Sequence, residues 1–139
     1  MAVATDIGFV LRECRSVAVV GLSNNPARPS YGVAHYMQTH GWRVIPINPN
    51  ETEILGQACY PSLTAAARHE KFDLVNCFRN SPDIPPIIDE AIALASTARI
   101  KAVWLQLGIT HDTAAAAAQA AGLLVVQDRC LKIEHRRPH

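Results

Sequence analysis

A short apolar run that stops at a glycine constrains the fold of this chain more than any other segment. Val17-Ala18-Val19-Val20 is followed by Gly21 and then by a loop, residues 22–31, that is rich in Ser, Asn, Pro and Arg. A run of β-branched and small apolar residues that ends in this way is typical of a buried strand leading into a helix. The unpaired N–H groups and the positive dipole end of such a helix form a site for an anion. The stretch therefore predicts a phosphate-binding turn, and Arg28 adds a full positive charge to it.

The rest of the chain alternates helical and strand patterns. Apolar runs predict strands at 17–21, 42–47, 73–78, 102–107 and 123–127. Helical spacing predicts helices at 6–14, 30–41, 62–68, 83–95 and 110–122, and a final short element at 128–135 that packs back. Strict alternation favours right-handed crossovers and a parallel sheet covered on both faces. The sequence thus predicts an α/β fold: a single Rossmann-like doubly wound domain over residues 1–139, with a five-stranded, mainly parallel sheet.

Individual residues refine these boundaries. Side chains suited to N-capping precede the predicted helices: Asp6, Ser62, Asp83, and either Thr110 or Asp112. Pro46 cannot donate to a sheet ladder, so the second strand is expected to end there or to lie where that N–H is not needed. Residues 48–56 are expected to form an irregular excursion between that strand and the next helix.

Composition excludes several classes of function. The formal net charge is +1, and 18% of the residues are charged, so non-specific binding to nucleic acid or to acidic membranes has no electrostatic support. The arginines in residues 134–139 are expected to form a solvated tail. No apolar run approaches the roughly 20 residues that span a bilayer. The chain is also long enough to bury a core without disulfide or metal staples.

The cysteines indicate the compartment. Cys14, Cys59, Cys77 and Cys130 are far apart, and none of them shows the close spacing of a tetrahedral zinc site. A disulfide framework is not expected either, and the first residues do not have the pattern of a signal peptide. We therefore expect a cytoplasmic protein with reduced thiols and without a bound metal.

The predicted topology places a ligand site at one edge of the sheet. In doubly wound sheets the crevice lies outside the carboxyl ends of the strands, where the strand order reverses. Three polar loops, 22–31, 48–51 and 79–83, are expected to converge there, with Gln106 and Gly108 as near neighbours.

The loop sequences disfavour NAD as the ligand. A dinucleotide requires G-x-G-x-x-G after the first strand and an acidic residue at the end of the second. Only Gly21 of that pattern is present, since Ser23 and Pro26 occupy the other two positions. The second strand ends in Asn48-Pro49-Asn50, which leaves Glu51 as a weak substitute for the acid.

Five motifs in unbroken order, from Val17 to His135, carry a resemblance to a known family. They are Val-Gly-Leu-Ser and Arg-Pro-Ser-Tyr within 20–31, Pro-Ile-Asn-Pro at 46–49, Phe-Arg at 78–79, Val-Trp-Leu-Gln-Leu-Gly at 103–108, and Asp-Arg-Cys-Leu-Lys-Ile-Glu-His at 128–135. They resemble the small bacterial CoA-binding proteins, whose domain is similar to the CoA-binding Rossmann domain of the succinyl-CoA synthetase α subunit. The resemblance implies coenzyme A (CoA) as the cofactor.

The resemblance also implies a set of binding residues. The CoA phosphates would lie on Gly21, Ser23, Arg28, Pro29, Ser30 and Tyr31. The adenosine end would lie against Asn48, Pro49, Phe78 and Arg79. Guanidinium groups bind phosphate oxygens in a bidentate manner, so Arg28 and Arg79 suit the diphosphate and the 3′-phosphate. Cys130, beside Arg129, is the candidate for contact with the CoA thiol.

The resemblance does not carry catalysis with it. The synthetase α subunit needs a second domain with a phosphorylated histidine, and a partner subunit, to form a thioester. Neither is expected in this chain, so binding without catalysis is predicted and no catalytic residue is assigned. Two alternatives stay open: a small acyl-CoA hydrolase or transferase that uses Cys130 or His135, and a nucleotide-binding or interaction domain with another ligand or a degenerate pocket. A small molecule is the expected partner, and a protein partner is left open.

Overall fold

The computed structural model describes residues 4–138 and contains a five-stranded parallel sheet. The strands of this sheet are β1 (Ser16–Val20), β2 (Arg43–Ile47), β5 (Leu74–Cys77), β6 (Ala102–Leu105) and β7 (Leu124–Val126). Two further strands, β3 (Glu53–Ile54) and β4 (Gln57–Ala58), pair with each other in a separate small sheet. The helices are α1 (Ala4–Glu13), α2 (Pro29–Thr39), α3 (Leu63–Ala67), α4 (Ile84–Ala98), α5 (Asp112–Ala120) and α6 (Leu131–Arg136). The main sheet has the order β2-β1-β5-β6-β7, and each neighbouring pair is parallel. The predicted α/β architecture is confirmed, and the strand order reverses between β1 and β5.

The helices cover both faces of the sheet. Alternate strand residues face opposite ways, so Val75 and Cys77 pack with α3, α4 and α5, whereas Leu74 packs with α1, α2 and α6. We call the first side the back face and the second the front face. All four β5 side chains are buried, which explains why this strand reads as a nearly continuous apolar run.

A hydrogen-bonded clamp joins β1 and β5 at their amino ends. The carboxylate of Asp73 accepts hydrogen bonds from the backbone N of Ser16 (2.9 Å), the Ser16 hydroxyl (3.0 Å) and the backbone N of Arg15 (3.2 Å). The Ser16 hydroxyl oxygen in turn accepts from the backbone N of Asp73 at 3.0 Å. Strands β1 and β5 are thus fixed to each other at their amino ends, opposite the crevice at their carboxyl ends.

The structure corrects the predicted caps at three helices. Helix α1 begins at Ala4, so Asp6 lies within its first turn instead of ahead of it. The cap of α5 is His111, whose Nδ1 accepts from the backbone N of Ala114 at 3.1 Å; the prediction of Thr110 or Asp112 is wrong because an imidazole nitrogen supplies the acceptor. Asp83 does precede α4, but its side chain makes no cap hydrogen bond.

Ser62 is the cap that the sequence predicts correctly. Its hydroxyl oxygen accepts from the backbone N of Ala65 at 3.1 Å and so begins α3. Pro46 also behaves as expected: it lies in β2, an edge strand of the main sheet, and its carbonyl accepts from the backbone N of Tyr60 at 3.0 Å. The strand therefore continues past the proline to Ile47.

Two segments differ from the sequence-based expectation. Residues 48–56 are not irregular throughout, because β3 and β4 form an antiparallel hairpin around Leu55 and Gly56, both with positive φ (53° and 73°). The expected solvated tail is also wrong in part, since α6 extends to Arg136 and buries Glu134. His139 lies outside the described residues.

Candidate functional site

A cleft of about 550 Å³ opens at the carboxyl ends of β1, β2 and β5. The loops that follow these three strands meet there, as the topology predicts. They contribute the predicted site residues Gly21, Ser23, Asn48, Pro49 and Arg79 to its lining. The far wall comes from residues 61–63 at the start of α3 and from Pro86, Ile87 and Glu90 in the first turns of α4. Sequence analysis missed this wall.

Gly21 lets two of these loops approach closely. Its φ is +84°, and a Cβ atom placed on it would lie 3.1 Å from the carbonyl oxygen of Phe78 and 3.1 Å from Cδ of Arg79. Both the backbone conformation and the close contact require glycine. The residue therefore stands where the strand order reverses, in the lining of the cleft.

The loop after β1 is held by its own side chains. The backbone N of Ser23 donates to the buried Ser30 hydroxyl (2.9 Å), and the backbone N of Asn25 donates to the Ser23 hydroxyl (3.0 Å). The backbone N of Ala27 donates to Oδ1 of Asn25 at 3.0 Å. The loop thus leads into α2 with a fixed shape, and Pro29 occupies the first turn of that helix.

The side chain of Asn48 joins the second loop to the first. Its Nδ2 donates to the carbonyl of Leu22 at 2.9 Å, and its Oδ1 accepts from the backbone N of Asn50 at 2.8 Å. Asn24 adds a hydrogen bond to the carboxylate of Glu51 at 3.3 Å. These contacts set the separation of the two loops and engage the Asn48 amide within the protein.

The lining of the cleft is part apolar and part polar. Its apolar part consists of four prolines and four aliphatic side chains: Pro49, Pro61, Pro82, Pro86, Val20, Ile47, Leu63 and Ile87. The charged residues in the lining are Arg79, Asp83, Glu51 and Glu90. A guanidinium nitrogen of Arg79 lies 3.6 Å from the carboxylate of Asp83. Carboxylates outnumber cations in this lining, so Arg79 is the cation there that could attract an anion.

Arg28 lies at the end of the loop after β1 and is not part of the cleft lining. It occupies the N-cap position of α2, makes no side-chain cap hydrogen bond, and is exposed. Among residues 4–138, no carboxylate forms an ion pair with it. Its charge and the amino end of an 11-residue helix are therefore both available to an anion.

The other predicted site residues lie outside the cleft, mostly on the front face. Tyr31, Phe78 and Cys130 are partly buried against the front core. Gln106 is buried, and its Oε1 accepts from the backbone N of Leu131 at 2.9 Å. Gly108 is exposed, and its N donates to the Asp128 carboxylate at 2.7 Å. The predicted residues thus divide between the two sides of the point where the strand order reverses.

Comparison with known protein families identifies the family of this chain. A sequence model of the CoA binding domain matches residues 15–136. The chain belongs to this family. The match includes every element of the main sheet and all three loops of the cleft.

This CoA-binding domain protein is similar along nearly its whole length to two other proteins. The chain is 32% identical over 130 residues to "Uncharacterized protein YneT" of Bacillus subtilis, covering 94% of this chain and 92% of that protein. A solved structure described as a hypothetical protein from Pyrococcus horikoshii OT3 superimposes with a TM-score of 0.88 at 32% identity, over 98% of this chain and 92% of that chain.

A third relative is a much larger enzyme. The chain is 35% identical over 51 residues to an ADP-forming acetate–CoA ligase of Archaeoglobus fulgidus. That segment is 35% of this chain but only 8% of the ligase. The predicted resemblance to the small CoA-binding proteins is confirmed by the family match, and the similarity to this ligase segment is consistent with it.

Asn76 is a residue of this domain that sequence reasoning missed. It lies in β5 with 0% exposure, and neither Nδ2 nor Oδ1 has a hydrogen-bond partner within the described residues. The signal in the sequence was a single amide within the apolar run Leu74-Val75-Asn76-Cys77.

The thiols differ in their surroundings. Burial raises the pKa of Cys14 and of Cys77 to about 12, and burial also raises the pKa of Cys59. Cys130 is half-buried at the start of α6. All four cysteines are free.

A cluster of rings joins α6 to α2. The Tyr36 hydroxyl lies 2.9 Å from Nδ1 of His135, and the Tyr36 ring stacks on His40 at 4.0 Å between centroids. Burial, the neighbouring His40 and Arg15 lower the pKa of His135.

Across residues 4–138, no group of three or more metal-ligating side chains is found, and no helix is long and apolar enough to cross a membrane.

Proposed function

We propose that this protein binds coenzyme A or an acyl-CoA across the crevice, without catalysis of its own. The observation that carries the proposal is the meeting of the loops after β1, β2 and β5 at a cleft where the strand order reverses, in a chain that belongs to the CoA-binding family. The cleft lies toward the back face, the loop after β1 leads from it to Arg28 and the amino end of α2, and Tyr31, Phe78 and Cys130 lie against the front core. CoA has the matching order of parts: a base with its ribose, a group of phosphates, and a long arm that ends in a thiol.

The residues present fit these parts. Pro49 and the other cleft prolines would contact the adenosine end. Gly21, Ser23, Arg28, Pro29 and the buried Ser30 would surround the phosphates, because a helix amino end and a free guanidinium favour anions. Tyr31 and Phe78, which were expected at the phosphates and at the adenosine end, lie on the front face and would instead contact the arm, together with Gln106 and Cys130. Arg79 would reach the 3′-phosphate, in competition with its contact to Asp83.

The geometry of α6 supports binding without catalysis. The alternative of an acyl-CoA hydrolase uses Cys130 or His135, which lie at the two ends of this helix and about 7.5 Å apart along its axis. Nδ1 of His135 is engaged by Tyr36. Neither residue therefore has the nucleophile-to-base hydrogen bond that activated nucleophiles use.

The remaining parts of the proposal follow from the family. We take the chain to act as one CoA-binding domain with a small molecule as its partner. The ligase of Archaeoglobus fulgidus is named for acetate and CoA, and the segment shared with it supports CoA as the common ligand. The cytoplasmic location stays a prediction from the sequence.

Titration calorimetry on one preparation tests the proposal. The ligands are CoA, dephospho-CoA, acetyl-CoA, NAD and NADP. CoA and acetyl-CoA are expected to bind well and NAD poorly, because the loop lacks the glycines and the acid that a dinucleotide needs. Dephospho-CoA is expected to bind with intermediate affinity if Arg79 contacts the 3′-phosphate. NAD binding as tight as CoA binding would refute the proposal, and equal affinity for CoA and dephospho-CoA would refute only the role of Arg79.

Turnover is tested separately. Acyl-CoA incubated with the protein is expected to stay intact. Hydrolysis that disappears in Cys130→Ser would establish the enzyme alternative instead.

A further inference from the structure

Asn76 lies at the centre of the molecule with both of its amide atoms unpaired. In the parallel register it stands between Val19 of β1 and Trp104 of β6, one residue before the carboxyl end of β5. Val75 and Cys77 face the back, so the Asn76 side chain faces the front. This is the side of the sheet that carries Phe78, Gln106 and Cys130.

A fully buried amide without partners lowers stability. Its N–H and C=O groups lose their hydrogen bonds to water and gain none in the protein. Every other residue of β5 is apolar, and an aliphatic side chain of similar size would remove the cost. An orphaned group of this kind calls for a partner that the folded chain does not itself supply.

Residues 129–131 are hydrogen-bonded to β6, the strand next to Asn76. Nε1 of Trp104 donates to the carbonyl of Arg129 at 2.8 Å, and the backbone N of Leu131 donates to Oε1 of Gln106 at 2.9 Å. These two hydrogen bonds fasten residues 129–131 across the carboxyl end of β6, beside Asn76. Helix α6, which follows, has six residues; Leu131 is buried in the front core, and Lys132 and His135 contact Tyr36 of α2.

We propose that Asn76 is a cofactor-binding residue that recognises an amide group of the CoA arm, and that residues 129–131 shift to admit it. The proposal rests on the proposed function. An asparagine side chain has N–H donors and a carbonyl acceptor in the same plane, and an amide of the arm has an acceptor and a donor to pair with them. Once bound, the arm removes the cost that Asn76 carries in the free protein.

The test compares two ligands that differ only in the arm. Dephospho-CoA and ADP share the base, the ribose and the diphosphate, so the ratio of their affinities reports contacts to the arm. In Asn76→Leu we expect this ratio to fall about tenfold, the effect of one lost buried hydrogen bond, while ADP binds as before. The melting temperature of the ligand-free variant is expected to stay equal or to rise, because the unpaired amide is gone.

Two further variants serve as controls. Asn76→Ala removes the amide with a smaller side chain, so the ratio can be measured if leucine prevents folding. Val75→Ala truncates the neighbouring buried side chain on the opposite face and should lower stability without changing the ratio.

The outcomes are distinct. An unchanged ratio in both Asn76 variants, together with a lower melting temperature, would show that Asn76 holds only a buried water and would overturn the proposal. Equal binding of dephospho-CoA and ADP by the unaltered protein would overturn it too, since no contact to the arm would then exist. Failure of the unaltered protein to bind CoA at all would instead reject the proposed function. Hydrogen exchange that rises at residues 129–131 with dephospho-CoA, but not with ADP, would support the shift of these residues.

Discussion

Replacing Gly21 by alanine should disturb both the fold and the site, and the structure separates the two causes of the effect. The first cause is the backbone, because a φ of +84° is a conformation that alanine adopts only with strain. The second is contact, because the new methyl group would lie 3.1 Å from the Phe78 carbonyl oxygen and 3.1 Å from Cδ of Arg79.

Gly41 provides the matched control. It has a φ of +89°, and a Cβ atom there would meet nothing within 4 Å. Gly41→Ala should therefore cost only the backbone strain, about 1–2 kcal/mol. Gly21→Ala should cost that amount plus an overpacking penalty of about 1–3 kcal/mol. At about 4 °C per kcal/mol for a chain of this size, the expected falls in melting temperature are about 4–8 °C and about 8–20 °C.

Thermal unfolding followed by far-ultraviolet circular dichroism measures both variants, and calorimetry measures CoA binding at a temperature where both are folded. CoA affinity should fall only in Gly21→Ala, because the loops after β1 and β5 must move apart there. Equal losses of stability in the two variants would refute the close contact. Unchanged CoA affinity in a folded Gly21→Ala protein would refute the position of the ligand over this residue.

Three further predictions concern single side chains. Arg28→Ala should weaken CoA binding by roughly 1.5–3 kcal/mol while the melting temperature stays the same, with partial rescue by Arg28→Lys; an unchanged dissociation constant by calorimetry would make this arginine a surface residue. The pKa of His135 is lowered in the folded protein from an ordinary value of 6.5, so the unfolded chain binds the proton first as the pH falls below that value and folding stability is lost. Melting temperatures at pH 8 and pH 5 should therefore differ less in His135→Gln than in the unaltered protein, and an identical difference would contradict the assignment. Intact-mass measurement after incubation with oxidised CoA should show a single adduct that is absent from Cys130→Ser, whereas an equal adduct on that variant would eliminate the thiol contact.

Much of the fold could be predicted because burial leaves a periodic trace in the sequence. The strand pattern identified the five strands of the main sheet to within two residues at each end. The hairpin of β3 and β4 was missed for a physical reason. Its strands have two residues each, too few for a period to show, and its turn begins with Leu55 in a conformation that leucine rarely adopts.

The site could be predicted only in part. Parallel strands end at one edge, so the meeting of the three loops followed from the topology. The wall formed by Pro86 and Glu90 did not, because it depends on where α4 packs after the chain has crossed the sheet. Asn76 was missed since a sequence pattern does not show which buried amide is left without a partner.

The clamp between Ser16 and Asp73 has a consequence for how the sequence of this protein can evolve. The clamp anchors β1 and β5 at their amino ends, which make no contact with the cleft. Substitutions in the loops at the carboxyl ends therefore do not have to maintain the strand register. Substitutions should therefore be tolerated better in the loops at the carboxyl ends of the strands than at the amino ends. Asp73→Ala is expected to reduce the yield of folded protein, whereas changes at exposed loop positions such as Asn24 or Asn50 should alter which ligand is chosen and leave the scaffold intact.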